Sequence, residues 1–177
     1  MNRIEIETKL NTDRAWLLER LSGMTEEELY APRTPSEHDP DKTWSFADHF
    51  IHTTLIERNF NDMFRRHIGG EQGMTLGRNS DGTQQSREEV MAWVHRWTET
   101  WAEEQRGKPL DELVRIGAET RSETLKLLSE LTQEQLDSKI PGAPWADGTV
   151  GGVMAVNADH GRMHFNYAKE GTLTPEI

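Results

Sequence analysis

The chain has 177 residues, which is enough for one domain with a sizeable core, and we expect residues 1–177 to form a single domain. Its 20 basic and 31 acidic residues give a net charge of -11, which matches the phosphate backbone of nucleic acids poorly, so no nucleic-acid partner is expected. The chain has no cysteine, which excludes disulfides, thiolate metal ligands and a cysteine nucleophile.

The first half of the chain predicts two long helices joined by a short one. Residues 2–22 carry isoleucine and leucine at spacings of four and seven, typical of an amphipathic helix. Thr25 and Glu28 match a capping box for a short helix, and a proline-containing loop follows. Ser45 caps the next long helix, which is expected to end at about Ile68.

The second half predicts three more long helices. Residues 70–85 are polar and glycine-containing, which is typical of a surface loop. A helix over 86–106 carries valine and tryptophan at heptad spacing. Helices at 109–131 and 149–169 follow, separated by a short capped turn and a Pro-Gly loop. No strand is predicted, and the tail after the last helix is expected to be loose.

The opening segment, MNRIEIETKL, interrupts its apolar positions with charges. Signal peptides and membrane spans need an uninterrupted apolar run, so this segment is expected to be neither. We therefore expect no membrane association and a cytoplasmic location.

Two segments of the chain resemble each other. LSGMTEEEL at 21–29 recurs as LSELTQEQL at 128–136, and Arg14 and Arg121 fall at the same offset of 107 residues. We infer a duplicated helix–turn–helix unit, with the helix at 86–106 inserted between the copies. Two such units bury their apolar faces against each other as an all-α four-helix bundle. The alternative is that capped helix ends simply look alike.

Three histidines are candidates for a metal site. His160 and His164 are four residues apart, so their rings lie on one face of the last helix and can share one ion. His52 precedes His160 by 108 residues and occupies the matching helix of the other unit. Three neutral nitrogens with open positions suit zinc, nickel or another divalent first-row metal. His49 competes with His52, because it lies one turn away and periodicity cannot choose between them.

Other interpretations of the histidines stay open. An HxxxH pair on a helix also occurs as two surface or hydrogen-bonded histidines with no metal. The simplest expectation for His38, His67 and His95 is that each is a solvated side chain.

The residues around these histidines resemble a known family. The segment WSFADHFIHTTLIE has a Trp-Ser helix start and a histidine eight residues after the tryptophan, and HxxxH follows near the end of the last helix. This pattern, with the LTQEQL turn, resembles the DinB/YfiT-like superfamily over about residues 4–170. The resemblance implies an up-down-down-up bundle, usually a homodimer, with a divalent metal held by three histidines. On the family's spacing the first ligand is His52 rather than His49, and the others are His160 and His164.

The resemblance also implies candidate activities. The superfamily includes metal-dependent transferases and isomerases that use low-molecular-weight bacterial thiols such as bacillithiol or mycothiol, so a thiol or an electrophile is an expected partner. We therefore expect either a thiol transferase or an enzyme that uses metal-activated water. The alternatives are a non-catalytic metal-binding or ligand-sequestering dimer, and a bundle without metal. The helix at 86–106 departs from the family pattern, so its contribution is open.

Several further residues are weaker candidates. Glu57 could orient a ligand or polarise water, although a solvated helix acid is the simpler expectation. Arg162 and Tyr167 on the last helix, with Asn166, could contact an anionic substrate. Trp44 and Trp145 are expected at the same end of the bundle, as pocket rims or core residues. The stripe formed by Val90, Val94, Trp97 and Trp101, with Trp93 beside it, is expected to be a packing seam or a dimer interface.

Overall fold

The computed structural model of the protein describes residues 1–36, 38–39, 41–70, 83 and 86–170. Most of the loop predicted at 70–85 and the tail from residue 171 onward lie outside these ranges. The described residues form seven helices and two very short strands: α1 (Arg3–Ser22), α2 (Glu26–Tyr30), β1 (Thr34–Pro35), β2 (Thr43–Trp44), α3 (Phe46–Ile68), α4 (Arg87–Gln105), α5 (Leu110–Glu130), α6 (Gln133–Asp137) and α7 (Val150–Glu170). The predicted all-α class is confirmed. None of the helices in the described ranges combines the length and apolar character that crossing a bilayer requires.

Side-chain caps fix where most helices begin. Thr25, Ser45 and Ser86 each accept a hydrogen bond from the backbone N–H three residues on, and the acid at that position accepts one from the backbone N–H of the cap residue. Asn2 and Thr132 form the same reciprocal pair with Glu5 and Gln135. Each box satisfies N–H groups that the first helical turn leaves without an intrahelical partner. The predicted helix starts are therefore confirmed to within a residue or two.

Four long helices form the bundle. Contacts between α1 and α7 advance in the same direction, from Lys9 with Asp159 to Asp13 with Arg162, so these two helices run parallel. Helices α3 and α5 are also parallel, since Glu57 meets Arg121 and Asn61 meets Thr124. Helix α7 runs antiparallel to α3. The inserted helix α4 packs outside this bundle, against α3.

Buried apolar side chains form one cluster towards each end of the bundle. The first cluster includes Leu10, Leu128 and Val153, and the second includes Leu17, Ile51 and Leu113. On each long helix, polar residues are buried between the two clusters, so the core is interrupted by a polar layer. That layer and the adjacent histidines contain the groups of functional interest.

The prediction of no strand is wrong at one place, and a second place has an isolated bridge without a strand. β1 pairs antiparallel with β2 through Thr34 with Trp44 and Pro35 with Thr43. In the second half, Lys139 forms an isolated antiparallel bridge with Thr149. Each pairing folds the loop after a short helix back to the start of the next long helix. Strands of two residues are too short to produce an alternating sequence pattern, which is why the sequence gives no indication of them.

Candidate metal centre

Three histidine rings from two helices meet inside the bundle. One ring nitrogen of His52, one of His160 and one of His164 all lie within 4.8 Å of one another. The Nε2 atoms of His160 and His164 are 3.0 Å apart, and the ring centroids of His52 and His164 are 4.7 Å apart. Two nitrogen ligands that each lie about 2.1 Å from one ion are about as far apart as these two Nε2 atoms. The arrangement can therefore accommodate a single metal ion.

The local sequence explains this convergence. The four-residue spacing stacks His160 and His164 one turn apart on α7. Helix α3 passes antiparallel to this face, and its close contact with α7 brings His52 opposite the pair. Next to the histidines, the two helices also meet through the tilted rings of Phe46 and Phe165, whose centroids are 5.1 Å apart.

Burial keeps the three imidazoles neutral. His52 is 2% exposed and His164 is 1% exposed, while His160 retains partial exposure. Burial lowers the pKa of His160 to about 4. Burial, followed by the neighbouring histidines, holds the pKa of His52 and of His164 well below the usual value. Neutral imidazole is the form that binds a metal, so the site is competent as a ligand set at neutral pH.

His49 lies behind His164 and is not a member of the converging group. Its Nδ1 is 2.9 Å from His164 Nδ1, and its Nε2 is 2.9 Å from the Thr34 hydroxyl. Burial lowers the pKa of His49 to about 4, so this ring is also neutral. Thr34 was not identified from the sequence, because a threonine in a proline-containing loop carries no pattern that points to a distant histidine. The chain Thr34–His49–His164 orients one of the three converging rings.

Trp44 packs on the histidines, and Trp145 does not. The Trp44 ring is fully buried, with its centroid 4.9 Å from that of His52 and 5.2 Å from that of His49. The Trp145 ring contacts Phe60, which lies more than three helical turns beyond the start of α3, where Trp44 lies. The prediction that these two tryptophans lie at the same end of the bundle is wrong. Because α3 and α7 are antiparallel, residues that begin the two helices lie at opposite ends.

The expectation that His38, His67 and His95 are solvated is wrong for His38. Its ring centroid lies 5.4 Å from that of His52 and 4.8 Å from that of His95, and burial lowers its pKa to about 4. His95 is partly buried, and His67 pairs with the Ser138 hydroxyl at 3.1 Å. His38 follows β1, and only the β1–β2 pairing brings it over α3, so helical periodicity could not have identified it.

Glu57 is buried rather than solvated, and it faces two arginines. Its carboxylate accepts hydrogen bonds from Arg121 at 2.6 and 3.2 Å, from Arg14 at 2.8 Å and from Thr124 at 2.7 Å. Burial raises the pKa of this carboxyl, but Arg121, Arg14 and Thr124 together outweigh burial and leave the pKa below its ordinary value. Arg14 and Arg121 are the two arginines related by the 107-residue offset.

This ion cluster needs a close approach of helices. A Cβ atom on Gly117 of α5 would come within 2.7 Å of the Arg14 guanidinium and 3.0 Å of the Phe50 ring. Glycine at this position therefore makes room for Arg14 between α1, α3 and α5. The four hydrogen bonds to the carboxylate of this cluster come from Arg14 on α1 and from Arg121 and Thr124 on α5, so the carboxylate braces the bundle by tying α3 to both helices.

The remaining candidates on α7 also have partners away from the three histidines. Arg162 pairs with Asp13 and stacks over the Trp16 ring at 4.2 Å. Tyr167 is buried, with its ring 5.4 Å from the ring of His49. Contact of Arg162 or Tyr167 with a substrate stays a prediction, and within the bundle Tyr167 packs against His49.

The tryptophan stripe of α4 divides into a packed and an exposed part. Trp101 donates a hydrogen bond through Nε1 to the Ile51 carbonyl, which ties α4 to α3. Trp93 and Trp97 stack at 5.1 Å, and Trp93 is 52% exposed. The side chain of Val90 lies outside the described residues. The homodimer stays a prediction, for which this exposed pair is a candidate contact.

A sequence model of the DinB superfamily matches residues 9–168. Comparisons with curated proteins and with solved structures find no significant match. The match spans all four bundle helices and includes the three converging histidines.

Proposed function

The chain belongs to the DinB superfamily, and on this premise we propose that it binds one divalent metal ion through His52, His160 and His164. The observation that carries the proposal is the convergence of three neutral, buried ring nitrogens within 4.8 Å. Without a cation, hydrogen bonds among the three rings can satisfy only some of these nitrogens. A set of three converging imidazoles is better satisfied by a metal.

The donor set indicates which metals fit. Three imidazole nitrogens, with no thiolate available in a chain without cysteine, suit zinc or nickel. Three protein ligands are typical of a site that keeps a position open for an exogenous molecule. His160 is the partly exposed ligand, so an exogenous molecule reaches this position from the side of α7 that carries His160.

The hydrogen bonds behind the site determine where the protons lie. If His164 binds the ion through Nε2, its proton is on Nδ1 and is donated to Nδ1 of His49. His49 then carries its own proton on Nε2 and donates it to the hydroxyl oxygen of Thr34. Each ring has a single tautomer compatible with this chain, so Thr34 and His49 hold His164 in its ligating form.

The proposed activity is a transfer reaction that uses a low-molecular-weight thiol of the bacillithiol or mycothiol type, or a hydrolysis that uses water. When bound, a divalent ion at such a site lowers the pKa of a thiol or water at the open position. The protein positions that molecule and shields it with the buried rings of Trp44 and His52. The anion so formed would attack an electrophile.

Metal analysis of protein purified without an affinity tag tests the ligand set. Roughly one ion per chain is expected for the wild type, and His52→Ala, His160→Ala and His164→Ala should each lose it. His67→Ala is the matched control, because His67 bonds Ser138 away from the site, and it should keep the metal. Full occupancy in all three alanine variants would reject the assignment.

A turnover screen separates an enzyme from a binder. Metal-loaded protein is incubated with an electrophile and with bacillithiol, mycothiol or glutathione, and adduct formation is followed with and without chelator. Adduct formation that requires both metal and thiol supports the transferase. An occupied site with no turnover across the screen would instead favour a non-catalytic metal-binding or ligand-sequestering protein.

A further inference from the structure

The buried ring of His38 is left unsatisfied by the part of the chain that the structure describes. Both of its nitrogens are buried, and neither has a hydrogen-bond partner among the described residues. A buried polar atom left unpaired is destabilising, and native proteins keep few of them. The ring is nevertheless held in place by contacts with His52, Trp44 and His95 at centroid distances of 4.8 to 5.7 Å.

The surface that faces His38 comes from the inserted helix. His95, Thr98 and Glu99 are spaced three and four residues apart, so they share one face of α4. Glu99 accepts a hydrogen bond from Ser36, whose hydroxyl oxygen in turn accepts from the backbone N–H of His38. The loop that carries His38 is thus fixed along this face. This face of α4, with His95, Thr98 and Glu99, and the loop that carries His38 form one surface next to His52. We call this surface, together with the adjoining ring of Trp44, the wall.

Other polar atoms of this wall are also unsatisfied. Nε1 of Trp44, Oγ1 of Thr98 and Nδ1 of His52 are buried and have no hydrogen-bond partner within the described ranges. All of these groups can donate a hydrogen bond, as can one nitrogen of His38. Oε2 of Glu99 is the one acceptor-only atom in the wall that is similarly unpaired. Nε1 of Trp44 can only donate, whereas the Thr98 hydroxyl and the rings of His38 and His52 can each donate or accept, so several hydrogens can be directed at one acceptor beside the three-histidine site.

We propose that His38, supported by His95, forms a second binding point for an anion that occupies the open position of the metal site. The proposal rests on the proposed function, because it assumes that His52, His160 and His164 hold an ion. His38 is not itself a member of the converging group, so it contacts the exogenous molecule and not the metal. The ligand class is a small anion with hydrogen-bond acceptors, which can take hydrogens from His38, Trp44 and Thr98 while it binds the metal.

Anion binding to cobalt-loaded protein tests this assignment. Co²⁺ is bound in place of the native metal, and azide is titrated while the visible absorption of the cobalt is recorded. His38→Phe keeps a ring against Trp44 but cannot donate, so the azide Kd should rise about tenfold or more. Affinity for cobalt should stay within about threefold of the wild type, because no ligand is lost.

Two further variants make the result specific. His38→Gln keeps a donor and should recover part of the azide affinity, and it also replaces His38→Phe if that variant does not fold. His95→Phe should raise the azide Kd less than His38→Phe, and His67→Phe should leave it unchanged. An unchanged azide Kd in both His38 variants would overturn the proposal. Loss of cobalt in them would also overturn it, by making His38 a ligand, and a wild type that binds no cobalt would reject the metal site itself.

Discussion

Helix α3 carries two buried polar clusters, and they differ in how their polar atoms are satisfied. Both oxygens of Glu57 are fully engaged by Arg14, Arg121 and Thr124. Five residues earlier, His52 belongs to a cluster in which buried ring nitrogens have no partner within the described chain. Glu57 and His52 are both 2% exposed, and both clusters join α3 to neighbouring helices.

The difference separates a structural cluster from a ligand site. A buried charge that is fully paired within the chain leaves no position for another molecule, and its removal lowers the free energy of unfolding. A buried group whose partners are missing from the chain carries a free-energy cost that an exogenous ligand can remove. The two clusters should therefore respond oppositely to mutation, to pH and to metal.

The largest expected effect is on the closed cluster. Glu57→Leu leaves the charges of Arg14 and Arg121 buried without their anion, and the free energy of unfolding should fall by about 3–5 kcal/mol. Urea denaturation measures this change. Glu123→Leu is the control, because that acid is exposed and lies 3.7 Å from Arg65, so its loss should cost under about 1 kcal/mol. A loss below about 1 kcal/mol for Glu57→Leu would show that the cluster does not brace the bundle.

The next effect concerns acid stability of the metal-free protein. His49 and His160 have a pKa of about 4 in the folded chain, against an ordinary value of 6.5. Between these pH values the unfolded chain binds more protons, so stability is lost as the pH falls from about 6.5 to 4. A buried histidine such as His49 accounts for up to about 3 kcal/mol of this loss.

Glu57 acts in a different pH window. Its pKa lies below the ordinary value of 4.5, so its contribution to stability is present above that value and is lost only as the pH falls through its folded pKa.

Urea midpoints of chelator-treated protein at pH 7, 5.5 and 4.5 test the contribution of the histidines. They should fall stepwise in the wild type and less in His49→Phe. Equal slopes in both proteins would contradict the assignment of this pH dependence to the buried histidines.

The smallest effect concerns the residues behind the site. His49→Phe keeps a ring between Trp44 and Tyr167 but removes the hydrogen bond to His164, and the Kd for zinc should rise about 10–100-fold. Thr34→Val acts one step further away and should raise it less. Competition with a chromophoric chelator measures both. A His49→Phe variant with no bound zinc at all would make His49 a ligand in its own right.

Much of the candidate site could be predicted from the sequence, because the patterns that reveal it either are local along the chain or recur in its two halves. The four-residue spacing of His160 and His164 fixes their common face whatever surrounds the helix. His52 could be paired with them because an offset of about 107 residues relates the two halves of the chain. The choice of His52 over His49 was not available from periodicity, since both lie on α3 one turn apart.

By itself the sequence determined the helices and where they begin, because capping boxes and apolar spacing act within a few residues. Tertiary structure alone decided the burial of Glu57 between two arginines and the placement of His38 over His52. It also decided the separation of Trp44 from Trp145. Each of these depends on which helices are neighbours and in which direction they run. Side-chain partners that are distant in the chain are chosen by packing, and no local pattern records that choice.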